Sequence, residues 1–516
     1  MNLPSRLSPD PASQPKPGQR IDLPRLAASA DALAIACLAR PEHLLAIITA
    51  SPLEAQRLAE EIAWFAPTLR VNLLPDWETL PYDNFSPHQD LISERLATLH
   101  AVTQGACDVL ITAASTAITR LAPPAFLASH TFFMKKGDRL IVEKLRAQLT
   151  LGGYQHVNQV VTAGEYSVRG GLIDLFPMGT PLPYRIELFD DEIETIRSFD
   201  VDSQRTLYPV PEIRLLPARE FPAGDVGRTK FRQRFRDMFE GDASRISLYK
   251  DVSNGILPAG IEYFLPLFFD STATLFDYLP QGTSLLLHGD VPAAIAEFWT
   301  DTKGRYKMLG GDRLRPVLMP EELFLRDEEF FIAANLLPLY VQRVGAGMQC
   351  RLSTADPLHG HEAMLRETPA PPPLLETSLP ALAVNRKADD PLAALRAFLS
   401  TTKCRVLLLA ESAGRRETLN DYLSEHGLRP VPCTDFAEFC VSDNAFMLST
   451  GPLSGGFVQA SETPFAIVTE NELYAATARP RGRRTDARRA NLEGWLRDLS
   501  EQKLGESLAE IHVQQT

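Results

Sequence analysis

The sequence predicts an α/β multidomain protein. A parallel α/β domain is interrupted by an inserted α+β sheet module and followed by a second small α/β domain and a linker. Three patterns carry this reading. Apolar runs of strand length alternate with amphipathic helical segments in residues 24–129, and a similar run returns after 216. Between 130 and 215 the pattern changes to period-2 alternation broken by Gly and Pro. A Pro-rich stretch, Pro369 to Pro380, then precedes a further strand–helix alternation that runs to about 470. A chain of 516 residues has room for several domains of about 100–200 residues each.

Residues 1–23 are rich in Pro and Ser and lack an apolar core segment, so they are expected to be a disordered leader and not a signal peptide. Leu26 to Leu38 reads as a helix and Leu44 to Ile48 as a buried strand. Ser51-Pro52 is a helix start, because a Ser cap and a Pro in the first turn both suit unpaired backbone groups there; the helix runs from Leu53 to Phe65. Val71 to Leu74 and Asp108 to Thr112 are strands, and Ser115 is expected to start a helix. In the module, Phe132-Phe133-Met134 leads to a basic turn at Lys135-Lys136-Gly137 and a helix from Val142 to Leu149. The parallel domain resumes over 216–350 with a basic helix, Lys230 to Phe239, and a strand, Ser284 to His288, that turns at Gly289-Asp290. In 351–470, Asp390-Pro391 repeats the helix-start pattern before a helix from Leu392 to Leu399. Strand Arg405 to Leu409, helix Arg415 to His426 and strand Phe465 to Thr469 follow. No motif assigns this domain a role beyond spacer or docking surface. Residues 471–516 form an Arg-rich linker, with a strand-like Ile511-His512-Val513 near the end.

The most informative stretch is Gly164 to Asp202. Ser167-Val168-Arg169, Leu172 to Phe176 and Tyr184 to Phe189 alternate with period 2 between Gly and Pro breaks, which is the signature of a twisted antiparallel sheet. Ile186 and Leu188 would face one side, with Arg185, Glu187 and Phe189 on the other. An open face bearing Arg, Glu and a large aromatic suits a protein–protein contact. The same residues also suit an ordinary solvated face with the Phe covered by a neighbour.

Several function classes are disfavoured. A net charge of −13 argues against a chain wrapped in nucleic acid along its length, without excluding a local basic site. Six cysteines show no CxxC pair and no zinc spacing, which points to free thiols in a reducing cytoplasm. No apolar run reaches the ~18–20 residues of a membrane span. Nowhere does GxxxxGK[ST] occur, so the phosphate-cradling loop of a nucleotide hydrolase is missing; GxSxG and HExxH are missing as well. His359-Gly360-His361 could bind a metal only with further ligands that the sequence does not identify. Arg479, Arg481, Arg483, Arg484, Arg488 and Arg489 crowd the connector. They suit a phosphate or acidic-partner contact, with nucleic acid or a polymerase as candidates, but such a run is more often a solvated linker.

Longer stretches resemble a known family. LLPDWETLPYDNFSPHQDLISERLATL (73–99), FMKKGDRL (133–140), GGYQHVNQVVTAGEYSVRGGLIDLFPMG (152–179), LPYRIELFDDEIETIRSFDVDSQRT (182–206) and LPAGIEYFLPLFF (257–269) are similar to the bacterial transcription-repair coupling factors. The resemblance implies a UvrB-like first domain, here a degenerate P-loop-type fold kept as scaffold, with an inserted module that binds UvrA. Carried over by position, Arg169, Arg185, Glu187 and Phe189 would contact UvrA: the two Arg to partner carboxylates, Glu187 for register and Phe189 as apolar anchor. The interval from Tyr82 to Pro87 is too short for the DNA-clamping hairpin of UvrB. The family's RNA-polymerase-interacting domain and its ATP- and Mg-dependent motor would lie beyond this chain, so no cofactor is expected within it. RNA polymerase and DNA would be partners of that missing part. A family domain that covers the UvrA-binding face would also be absent, leaving the face open. The resemblance thus implies a cytoplasmic, monomeric adaptor. The rival readings are an ATP-dependent DNA-binding or translocase fragment, which the missing loop opposes, and a scaffold with no partner of its own.

Overall fold

The computed structural model describes residues 15–23, 26, 28–312, 314–342, 375–460 and 463–474. The described residues all fall within one compact unit. The arginines from Arg479 to Arg489, Ile511 to Val513 and His359-Gly360-His361 lie outside the described residues.

The first domain begins with β1 (Arg20–Leu23), β2 (Leu45–Thr49), β3 (Val71–Leu74) and β4 (Val109–Ala113). β1 corrects the expectation for residues 20–23. Ile21 points inward, and the segment adds an edge strand to the sheet, so it is ordered. Ser51 caps helix Pro52–Phe65 as expected, accepting from Glu54 N at 3.3 Å. Ser115 does not start a long helix. Ala114–Ala117 is a single turn, and the hydroxyls of Ser115 and Thr116 donate to Asp76 at 2.8 and 3.0 Å.

The inserted module enters on β5 (Phe132–Lys135) and leaves on β12 (Glu212–Leu215), which pair antiparallel, Phe132 opposite Leu215. Helix Val142–Leu151 follows β5. Between them lie β6 (Gln155–His156), β7 (Glu165–Arg169), β8 (Leu172–Leu175), β9 (Tyr184–Phe189), β10 (Glu192–Phe199) and β11 (Thr206–Pro209). They form a six-stranded sheet in the order β11-β10-β9-β8-β7-β6, antiparallel except for β6 with β7. Val168, Ile173, Ile186 and Ile196 make one cross-strand row on its inner face. That row joins Leu145 and Leu149 of the helix in a hydrophobic core shared with the first domain.

The chain then returns to the parallel sheet through β13 (Ser284–His288) and β14 (Leu339–Gln342), completing the order β1-β14-β13-β2-β4-β3 with every pair parallel. β2, β4 and β13 are buried at every residue, which is why they read as unbroken apolar runs without alternation. No strand lies between 75 and 88. There the chain makes tight turns, with Glu78 and Tyr82 at positive φ (56° and 67°).

The last domain is a mixed sheet of β15 (Leu375–Thr377), β16 (Arg405–Ala410), β17 (Val431–Pro432), β18 (Phe446–Thr450), β19 (Phe457–Ala460) and β20 (Phe465–Thr469), in the order β15-β19-β20-β16-β18-β17. Asp390-Pro391 precedes its first helix without capping it. The helix starts at Ala393, and Asp390 closes the turn before it by accepting from Leu392 N and Arg396 Nε. This domain is no loose spacer. Leu407, Leu409, Phe436, Phe439, Phe457 and Ile467 share a core with Leu58, Ile62 and Phe65 of the first domain. Phe65 meets Phe436 edge-on at 5.1 Å, and Trp64 donates its indole N–H to Thr450 O at 3.1 Å. Polar contacts seal the seam: Ser454 N donates to Glu61 Oε1 at 2.8 Å, and Gly455 N to Ser29 Oγ at 3.2 Å.

The five described cysteines are free, and burial pushes the Cys37 and Cys107 thiols up to about 12, which keeps them unreactive.

Truncating Phe436 removes the aromatic centre of this seam. Phe436→Ala is expected to cost ~3–5 kcal/mol in urea unfolding, and a loss below ~1 kcal/mol would mean that the two domains do not share a core. A second expectation concerns pH. Asp108 receives Arg70 Nη2 at 2.6 Å, Arg70 Nε at 3.0 Å, and backbone N–H groups of Arg70 and Glu42. The Arg70 side chain is the largest influence holding this carboxyl at about 2, below the ~3.9 of an unfolded Asp. Its stabilisation is therefore present above pH ~4 and is lost as pH falls toward 2. Because Arg70 is half-exposed, the size should be only ~1–2 kcal/mol. Urea midpoints of Asp108→Asn should lie below wild type at pH 6, with the gap narrowing by pH 3.

Candidate docking face of the inserted sheet

Antiparallel pairing places residues directly opposite one another on the same face. One outward row runs Ser167, Asp174, Arg185, Arg197, Pro209 across β7 to β11. The next runs Arg169, Leu172, Glu187, Thr195 across β7 to β10. Phe189 follows at the end of β9, opposite Glu192, just before the turn at Asp190-Asp191, where Asp190 has φ 56°. All four residues proposed from sequence, Arg169, Arg185, Glu187 and Phe189, therefore lie on one face.

The electrostatics of that face centre on Asp174, whose side chain is only 2% exposed. Arg185 grips it with a fork, Nε to Oδ1 at 2.7 Å and Nη2 to Oδ2 at 3.0 Å, and Arg169 Nη2 donates to the same Oδ2. Arg185 also donates Nη1 to Gln204 O at 3.2 Å and lies over the Phe199 ring at 4.9 Å. The hydrogen bond to Asp174 holds the Arg185 pKa above its ordinary value, although partial burial works the other way. The Arg185 side chain is left only 16% exposed, whereas Arg169 is 54% exposed. Arg185 is thus already committed within the sheet and has little left to offer a partner, whereas Arg169, although bonded to Asp174, stays half-exposed. Glu187 accepts from Thr195 Oγ1 at 2.9 Å. Phe189 is 70% exposed on a paired strand, so an apolar ring is presented to solvent from a rigid backbone.

Arg197 is a residue that the sequence reading did not single out. It is exposed, directly opposite Arg185, and its side chain has no polar partner among the described residues. A β-bulge between Ile193 and Thr195 sets this register. The available signal was the spacing of Ile193 and Ile196. Both are buried and three apart, which a regular strand does not allow.

The place where a nucleotide-binding domain would cradle phosphate is built differently. β2 passes into helix Pro52–Phe65 through Ala50-Ser51 alone, Pro52 has no N–H to offer, and Ser51 already caps the turn. Asp31, Glu54 and His288 each bring a ligand-type atom, all within 4.8 Å of one another, but Arg57 lies among them. Its Nη2 is 2.6 Å from Asp31 Oδ2 and 2.7 Å from Glu54 Oε2, and its Nη1 is 2.8 Å from Glu61 Oε2. His288 Nε2 is 2.9 Å from Asp31 Oδ2. Burial works to raise the Asp31 pKa, but the His288 and Arg57 hydrogen bonds outweigh it and hold the carboxyl below its ordinary value. The protein's own guanidinium supplies the cation there. Elsewhere, a cavity of about 200 Å³ opens between the Tyr82-Asp83-Asn84 turn, Asp251, Tyr263 and Arg315. The Tyr82 hydroxyl is buried without a hydrogen-bond partner among the described residues.

Comparisons with known proteins agree with this layout. Residues 132–221 match the family described as UvrB interaction domain, and residues 398–473 match the MFD, D3 domain. The chain is 40% identical over 499 residues to the transcription-repair-coupling factor of Escherichia coli (strain K12), covering 96% of this chain and 41% of that protein. It is 38% identical over 486 residues to that of Haemophilus influenzae, covering 93% and 40%, and 24% identical over 492 residues to that of Bacillus subtilis (strain 168), covering 90% and 39%. The chain therefore spans about two-fifths of the length of these curated relatives. The chain is a homologue of the transcription-repair coupling factor, Mfd, over that two-fifths, and it carries the UvrB interaction domain and the D3 domain.

Proposed function

We propose that this chain recruits UvrA to RNA polymerase stalled at lesions, as part of transcription-coupled nucleotide excision repair, and that the inserted sheet is the docking face. The observation that carries the reading is Phe189, a large aromatic held out to solvent on a paired strand within the segment that matches the UvrB interaction domain. A rigid aromatic anchor loses little freedom on binding, which is why such residues dominate interface energetics. Arg169 adds an exposed guanidinium at one side, and Glu187, tied to Thr195, fixes register. Asp174 is the positioning residue beneath them.

In this reading the first α/β domain is a scaffold without nucleotide chemistry. The missing GxxxxGK[ST] loop, the two-residue β2 connection and the Arg57 cluster all support that. The contacts with RNA polymerase and DNA, and the ATP and Mg of a motor, would belong to other parts of a full-length protein, with Arg479, Arg481, Arg483 and Arg484 as the candidates for such a contact here. No helix among the described residues is long and apolar enough to cross a membrane, and a cytoplasmic monomer suits the reading.

Titration calorimetry should detect UvrA binding by this chain. Phe189→Ala should weaken it by at least ~10-fold with an unchanged melting temperature, as for a truncated hot-spot aromatic. Wild-type affinity in that variant would move the docking site elsewhere. Millimolar ATP with Mg should leave the melting temperature where it is; a rise would restore the enzyme-fragment reading.

A further inference from the structure

Resting on the docking reading above, we infer that Arg197, and not Arg185, presents the accessible positive charge in the central row of the face, and that the partner meets it with a carboxylate. Arg185 and Arg197 are directly opposite on β9 and β10, yet their situations differ. Arg185 is forked onto Asp174, bonded to Gln204 O, stacked on Phe199 and mostly buried. Arg197 is exposed and has no polar partner among the described residues, and Pro209, its other cross-strand neighbour, brings no charge. The two outward rows hold three cations, Arg169, Arg185 and Arg197, against two anions, Asp174 and Glu187. Glu192, opposite Phe189 at the end of the face, brings the anions to three, so the positive excess is confined to these two rows.

Geometry limits what fits. Arg169 on β7 and Arg197 on β10 are three strands apart, roughly 15 Å at ~4.8 Å per strand. A single carboxylate does not serve both. The complementary surface carries at least two acidic side chains at about that spacing, with the apolar pocket for Phe189 to one side. Glu187, on β9 between the two strands, would repel an acid placed at the centre and so separates the two contacts. Rim cations of this kind act mainly on association rate and its salt dependence.

The test uses the full chain with UvrA, comparing wild type, Phe189→Ala, Arg197→Ala and Arg197→Glu by surface-immobilised kinetics at 50 and 300 mM salt. Arg197→Ala should weaken binding about three- to tenfold, mostly in association rate, and flatten the salt dependence. Arg197→Glu should weaken it by more than about tenfold. Melting temperatures should stay at the wild-type value, since the exposed side chain has no polar partner among the described residues. If Phe189→Ala loses binding while Arg197→Glu binds like wild type, the assignment of Arg197 is wrong and the docking face stands. If wild type does not bind, or if neither Phe189 nor Arg197 matters, both the docking face and this inference fall.

Discussion

Arg57 holds the first α/β domain together at a largely buried charge cluster. Its guanidinium reaches Asp31 from the first helix and Glu54 and Glu61 from its own, while His288 on β13 closes on Asp31 from the sheet. Glu61 in turn accepts the backbone N–H of Ser454 in the last domain. One cation thereby ties two helices, the parallel sheet and the neighbouring domain. Taking charges out of water is costly unless each is paired and hydrogen-bonded, so the cluster tolerates little rearrangement. Burial raises the Glu61 pKa, which eases the excess of carboxylates around a single guanidinium. The same arrangement occupies the end of β2 where a phosphate would otherwise approach a helix N-terminus.

The two main sheets obey different constraints. The parallel sheet is covered on both faces, so its central strands are buried at every residue and mostly apolar, and they offer nothing to a partner. The antiparallel sheet packs Val168, Ile173, Ile186 and Ile196 inward, which frees its other face to carry charge and one exposed ring. Buried Asp174 organises that outer face: it accepts from both Arg185 and Arg169 and holds the two guanidiniums in fixed geometry over the sheet.

How much of this was legible follows from the range of the interactions. Continuous runs such as Leu45–Thr49 and Ser284–His288, the Ser51-Pro52 start and the alternation of Tyr184–Phe189 are local patterns, and each reappears within a residue or two. Arg20–Leu23 was not legible because an edge strand of four residues has its reason in β14, more than three hundred residues away. The same holds for Asp31, Arg57 and His288, and for the seam between Phe65 and Phe436: residues far apart in the chain acquire their meaning only on contact. Asp390-Pro391 misled because the Asp closes a turn two residues ahead of the helix's cap position, Leu392. Within the docking face, period 2 placed Arg185, Glu187 and Phe189 on one side, but it did not reveal that Asp174 had already claimed Arg185. Arg197 stayed hidden behind a one-residue bulge that shifts the register of β10.

The stem of the inserted module has a consequence for how such chains arise. β5 and β12 leave the parallel domain as neighbouring antiparallel strands, with Phe132 beside Leu215, so the two ends of the module are about 5 Å apart. A segment with adjoining ends can be gained or lost by a parent fold at a small cost in chain closure, because the gap left behind is bridged by a short turn. The antiparallel sheet is in that sense a portable cassette.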